Sequence, residues 1–367
     1  MKSLNSLIQI ENQYCPKLFS PNSLQDSEKI MELKNNPSII IYDSLESQVG
    51  ELIKISHPSR TFTPRELQEE VEVFFKGRDR NMYGVWVYYS WRNTLVRVLE
   101  EKDFIRLRTS RNRYKITQEE QDLLCTKKIG IIGLSVGQSV ALSLAMERTF
   151  GELRIADFDT LDLSNMNRIR TGLYNVGIKK TWIVAREIAE IDPFLKVILF
   201  DDGITEENVD DFFTLGGDLD LLIEECDSLP IKIGSRLKAK SLGIPVLMDT
   251  SDRGMMDVER FDHEPERPIF HGLLEKFGEE NEILSILKKN HKAIMSSILD
   301  FENLSIRAKE SIAQIGHTIT TWPQTASSVI MGGAVCSFFS RRLLLDEGLV
   351  SGRYYVDLDE LINSHES

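Results

Sequence analysis

Cysteine is scarce and scattered in this chain. Its four cysteines (Cys15, Cys125, Cys226, Cys336) form no C-x-x-C pair, so they suggest neither a zinc knuckle nor a disulfide framework. Long apolar runs are also missing. The longest, Val329 to Phe339, is too short to span a bilayer and is rich in small residues. Positive charge is in deficit: the net charge of −13 and pI near 5.1 argue against a broad nucleic-acid surface. Internal repeats and low-complexity tracts are absent, and the polar N-terminus lacks a signal-peptide core. These absences lead to the expectation of a reduced, cytoplasmic protein with no membrane partner.

What is present suits a globular protein. With 41% hydrophobic and 28% charged residues, 367 residues can bury a sizeable core and form two domains. Residues 1–120 read as a small α+β region, a scaffold or dimerisation unit. Thr63-Pro-Arg-Glu66 is a helix start with a capping residue and an early proline, and Tyr83–Tyr89 (YGVWVYY) reads as an aromatic strand. Arg106–Arg113 (RLRTSRNR) concentrates positive charge just upstream of the next domain. As a run it fits a solvated helix flank and an anion-contacting segment about equally.

From residue 121 strands and helices alternate, predicting an α/β fold: a Rossmann-like, mostly parallel sheet flanked by helices. Residues 260–320 interrupt the alternation as a helical insertion. A later helix, Ala326–Leu345, carries Gly332, Gly333 and Ala334, which permit close packing. Asp157, Asp159, Asp227, Asp249 and Asp252 all fall at or just past predicted strand ends, where ligands of such sheets bind.

The stretch Lys128–Arg168 carries the chemistry. An apolar strand runs into a turn at Gly133–Gly137, a helix follows, and a second strand ends at Asp157 and Asp159. A helix N-terminus offers backbone N–H groups to phosphate, and the acid after the second strand accepts from a ribose. The turn, however, has Ser135 and Gln138 where a dinucleotide fingerprint has its second and third glycines. That disfavours a dinucleotide and fits ATP better. Beyond Asp157 the chain reads D-F-D-T-L-D-L-S-N-M-N-R, ending at Arg168; Gly177-Ile-Lys-Lys180 and Glu225-Cys226-Asp227-Ser228 follow.

On these residues the chain resembles the ThiF/MoeB/HesA superfamily, the ubiquitin-activating-enzyme-like adenylyltransferases. The nearest pattern is a ThiF-type subfamily often fused to a nitroreductase-like domain. It shares G-L-S-V-G, A-D-F-D-T-L, E-E-C-D-S, T-S-D-R-G, YGVWVYY and RNRYKIT, and the present chain resembles its stand-alone form. The resemblance implies binding of ATP and Mg²⁺ and attack of a substrate carboxylate on the α-phosphate. The carboxylate would belong to a small molecule, a peptide or a ubiquitin-like or sulfur-carrier protein. Carried over by motif, Gly133, Ser135 and Gly137 form the phosphate turn, and Asp157, with Asp159 beside it, takes the ribose. Arg168 and Lys180 hold the phosphates, Asn165 orients them, and Asp227 holds the metal. Lys179 and Asn167 are the alternatives to Lys180 and Asn165. Arg111 or Arg113 from the partner of a homodimer is expected to reach the phosphates.

Two features differ from the pattern: there are no paired zinc cysteines, and no transfer cysteine follows Asp249. Cys226 reads as a packing residue rather than a nucleophile. Adenylation is therefore expected without evidence of thioester transfer. Two other readings stand beside it: a tRNA threonylcarbamoyladenosine dehydratase-like enzyme, and an NAD(P)-binding oxidoreductase.

Overall fold

The computed structural model describes residues 13–363, and the chain divides into two units. One runs to Gln118 and includes Ala185–Leu195; the other comprises Glu119–Val184 and the chain from Lys196 onward. The sequence expectation kept residues 185–195 with the later domain. They join the first unit because Ala189 and Phe194 bury their apolar surface with Val87, Tyr89 and Phe104, and the Tyr89 hydroxyl donates to the Ala189 carbonyl at 3.0 Å.

The first unit orders β1 (Lys17–Phe19), α1 (Leu24–Asn35), β2 (Ile40–Asp43), α2 (Leu45–Ser56), α3 (Pro64–Phe75), β3 (Val85–Tyr89), β4 (Thr94–Val98) and α4 (Glu101–Arg108). Its sheet runs β1-β3-β4-β2, with β2 parallel to β4 and the other pairs antiparallel. The Thr63 cap forms as expected: the Glu66 amide donates to Oγ1, and the Thr63 amide donates to the Glu66 carboxylate at 2.8 Å. The aromatic run YGVWVYY supplies β3, burying Trp86, Val87 and Tyr89.

The second unit begins with α5 (Gln118–Leu124), β5 (Lys128–Ile132), α6 (Leu134–Glu147), β6 (Glu152–Ala156), α7 (Lys180–Ile191, shared with the first unit) and β7 (Lys196–Phe200). It continues with α8 (Val209–Thr214), β8 (Leu221–Glu224), α9 (Leu229–Ser241), β9 (Val246–Asp249) and β10 (Met255–Glu259). Last come α10 (Ile283–Ile298), α11 (Ile306–Gln314), α12 (Ala326–Leu344), β11 (Gly352–Tyr355) and α13 (Leu358–Asn363). The seven strands lie in the order β11-β10-β9-β8-β5-β6-β7, parallel from β9 to β7. Sequence reading missed β10, an antiparallel strand that pairs with β9 and β11.

The order matters for function. After β5 the chain builds outward through β6 and β7, then returns to lay β8 on the other side of β5. This reversal opens a crevice at the C-terminal ends of β5 and β8, where α/β sheets bind ligands. Helix α12 closes in beside it: a Cβ on Gly332 would meet the Asp249 carboxylate, so glycine is what allows that approach. Among the described residues no helix is long and apolar enough to cross a membrane.

Candidate active site

Strand β5 ends at Gly133, whose φ of +89° turns the chain into α6. A side chain here would also meet the Glu225 backbone at 2.8 Å, so β8's end and the turn pack backbone to backbone. Asp157, at the end of β6, reaches across to this turn. Its Oδ2 accepts from the Leu134 amide at 2.7 Å, and Oδ1 accepts from the Asp159 amide at 2.8 Å. Burial raises the proton affinity of the Asp157 carboxyl; Lys180 and these two amides oppose the rise.

Lys180 opens α7 and is buried with its Nζ 2.7 Å from Asp159 Oδ2 and 3.2 Å from Ser135 Oγ. The neighbouring Lys179 points elsewhere, donating to the Asp201 carbonyl at 2.6 Å. Of the two candidate lysines, Lys180 is the one facing the glycine turn. Ser135 occupies the position of a missing fingerprint glycine and serves as a hydrogen-bond acceptor for that lysine.

The second missing glycine is also in use. Gln138, buried on α6, donates from Nε2 to the Arg170 carbonyl and accepts from the Arg170 amide, both at 3.0 Å. This two-way clamp ties the loop carrying Arg168 to the helix. Leu161 and Ile169 anchor the same loop by packing against Ile183 of α7. A short 3-10 helix, Leu163–Asn167, lies between them, and Asn165 stabilises it by accepting from the Asp162 amide at 3.1 Å. Asn167 instead holds the arginine. It accepts from Arg168 Nη1 at 2.9 Å and donates to the Gln324 carbonyl at 2.7 Å.

Arg168 is half-buried, and its Nε is buried without a hydrogen-bond acceptor. Burial lowers its proton affinity and the Asp227 charge partly restores it, so the two side chains sense one another. Asp227 itself is exposed beyond β8. A cation desolvated on one side and unsatisfied at one donor can take an anion. It lines a cavity of about 410 Å³ with Ser164, Asn167 and the segment Thr318–Gln324.

Behind this surface lies a buried polar layer that sequence reading did not resolve. Burial works against the Glu224 charge, but Lys232 and Arg236 outweigh it and hold its carboxyl below the usual range. Glu225 goes the other way: burial and then Asp249 push it well above the carboxylate range. It accepts from the Asp249 amide at 2.9 Å. Asp249 is pushed up to about 6, chiefly by burial, against hydrogen bonds from Ser251 and Thr250. The Cys226 thiol is raised by burial and by Glu224, as befits a packing residue.

Arg111 and Arg113 are exposed in the turns after α4 and belong to the first unit, so they are not among the residues the second unit gathers. Of the arginines just before them, Arg108 pairs with Asp192 at 3.0 Å and Arg106 reaches Ser56 Oγ at 3.0 Å. Among the described residues no group of three or more His, Cys, Asp or Glu could hold a metal ion. A lone strand-end carboxylate such as Asp227 still suits Mg²⁺, which keeps several waters and binds through one or two carboxylates plus phosphate oxygens.

Residues 109–305 match the ThiF family. An uncharacterized protein of Mycobacterium tuberculosis, MT1398, is 44% identical over 278 residues, which is 76% of this chain and 38% of that protein. The chain thus spans well under half the length of that relative. The tRNA threonylcarbamoyladenosine dehydratase of Bacillus subtilis is 25% identical over 236 residues, 62% of this chain and 92% of the enzyme. The crystal structure of selenomethionine PaaA superposes with a TM-score of 0.50 at 18% identity, covering 85% of this chain and 93% of PaaA, a likeness of fold.

Proposed function

Because the chain belongs to the ThiF family, we propose that it is an enzyme that joins AMP from ATP to a substrate carboxylate. A carboxylate oxygen attacks the α-phosphate, the bond to the β-phosphate oxygen breaks, and acyl-adenylate and pyrophosphate result. Negative charge grows on the α-phosphate oxygens and on the departing pyrophosphate, so fixed cations lower the barrier. The observation that carries this reading is Arg168: a half-buried guanidinium with an unsatisfied Nε, held in place by Asn167 and facing a cavity.

The other parts fit the same step. The Gly133 turn presents the N-terminus of α6 to phosphate, and Lys180 is the second cation. Asp157, steadied by the Leu134 and Asp159 amides, faces the nucleotide as the ribose acceptor; Asn165 keeps the Arg168 loop in shape. Asp227 is the residue that would hold Mg²⁺, which when bound neutralises phosphate charge. Arg111 or Arg113, supplied by a second copy in a homodimer, completes the cationic set; mixing an Arg168→Ala chain with an Arg111→Ala/Arg113→Ala chain should restore activity that neither has alone.

Pyrophosphate–ATP exchange with a panel of carboxylates tests the reading. Arg168→Ala and Asp227→Ala should abolish exchange while leaving the melting temperature near that of the parent. Failure of the parent chain to bind ATP would refute it. The Bacillus relative favours a second reading, in which the carboxylate lies on a tRNA nucleoside. The net charge of −13 weighs against it, and tRNA affinity that falls steeply with salt would support it.

A further inference from the structure

Another cavity of the second unit does not touch the glycine turn. It holds about 680 Å³, starts at Thr250 and Ser251 just past β9, and is walled by α11 and by Trp322–Thr325. Trp322, Pro323 and Gln324 also line the smaller cavity containing Arg168, so the two share a wall. That wall is tied to the arginine: the Gln324 carbonyl accepts from Asn167, which accepts from Arg168.

Several charges in the larger cavity are already engaged. Arg253 reaches Asp357 at 2.6 Å, Glu360 and the Asn303 carbonyl; Asp252 accepts from Ser305 Oγ at 2.7 Å and from its amide at 2.9 Å. Among the described residues, the Arg307 guanidinium and the Asp359 carboxylate have no such partner, and both are exposed to the cavity mouth. One free charge of each sign, hydroxyls from Ser311, Thr325 and Ser328, and the face of Trp322 make a lining for a dipolar molecule. The volume falls within the roughly 300–1,000 Å³ of small-ligand pockets.

We propose that this cavity binds the acceptor of the adenylation step, and that the acceptor is a compact dipolar acid, an amino acid or dipeptide, rather than a protein terminus or a nucleic acid. Its reacting carboxylate passes the Gln324 wall toward Arg168. Its ammonium is read by Asp359, and Arg307 receives a second acid group where one is present. The helical segment around α11, which interrupts the α/β pattern in sequence, thereby sets acceptor choice. This assignment rests on the adenylation reading.

The test is pyrophosphate–ATP exchange on the full chain with free amino acids, dipeptides, their N-acetyl forms and carrier-protein C-termini. ATP affinity is measured separately by calorimetry. Amino acids or dipeptides should support exchange, and N-acetylation should raise KM. Asp359→Asn should raise KM for the free-amine acids by about 10- to 150-fold, as for loss of a hydrogen bond to a charged group. It should not change KM for the N-acetyl forms. Ser311→Trp fills the cavity and should abolish exchange with ATP affinity retained; Glu310→Trp, on the same helix but outside the lining, is the control for folding. If ATP binds and exchange runs equally well in Ser311→Trp, or only with carrier-protein termini, the cavity assignment is overturned and adenylation stands. If ATP does not bind, both fall.

Discussion

Replacing Gln138 by Met tests whether a position vacated by a fingerprint glycine controls the loop that carries Arg168. The substitution keeps the length of the side chain and its burial but removes both hydrogen bonds to the Arg170 backbone. At about 0.5–1.5 kcal/mol each, the clamp contributes about 1–3 kcal/mol to keeping the loop closed. Loss of that amount raises the open population about 5- to 150-fold. Leu161 and Ile169 remain packed on Ile183, so the loop loosens at its C-terminal side rather than detaching. The Arg170 amide, no longer bonded to Gln138, should exchange its hydrogen faster by the same factor, and tryptic cleavage after Arg168 or Arg170 should accelerate. If Arg168 acts on the phosphates, kcat/KM for ATP should fall in parallel. Unchanged amide exchange at Arg170, or faster exchange with undiminished kcat/KM, would refute the reasoning.

Three further outcomes are expected. Gly133→Ala places a Cβ against the Glu225 backbone at a φ of +89°; the backbone strain alone costs about 1–3 kcal/mol, which thermal melting should show as a lowered midpoint. Lys180→Met should lower ATP kcat/KM about 10- to 150-fold, whereas Lys179→Met, whose amine bonds the Asp201 carbonyl, should leave it near the parental value; equal losses would argue against the assignment. Asp249, raised from 3.8 to about 6, gives the native chain an extra proton in that interval. Stability therefore falls as pH climbs from about 4 to about 6, by about 3 kcal/mol at neutral pH. Asp249→Asn should melt higher than the parent at pH 7.5 and match it near pH 4; a mutant less stable at pH 7.5 would contradict this.

Much of the site was legible because local rules govern its parts. Gly133, Asp157 and Asp227 follow strand ends that apolar periodicity reveals, Arg168 closes the S-N-M-N-R motif beyond β6, and the Thr63 capping box is a four-residue signal. What escaped depends on contacts between residues far apart in sequence. Strand β10 lies between β9 and β11 and pairs antiparallel with both, past the point where the strand–helix alternation gives its signal. The inclusion of 185–195 in the first unit depends on Ala189 and Phe194 finding Tyr89 and Phe104. Asn167 as the partner of Arg168, and the exclusion of Lys179 as the alternative to Lys180, depend on where each side chain points. Adjacent residues of one type do not declare that. Gln138 gave a partial signal: a large amide among the apolar residues of α6 had to find a buried partner.

Glu224 and Glu225, adjacent at the end of β8, sit in unlike surroundings. Where β8 meets β5, the Glu225 backbone packs on Gly133, and the Glu225 side chain turns toward β9. That side chain accepts from the Asp249 amide, and α12 presses on the Asp249 carboxylate at Gly332. Burial raises the proton affinity of both carboxyls, and the Asp249 charge adds to the rise at Glu225. A neutral carboxyl can donate a hydrogen bond that a carboxylate cannot, so retaining a proton here removes the repulsion between them. In the adenylation reading proposed above, Glu225 thus lies beside the Gly133 turn without adding a full negative charge to it.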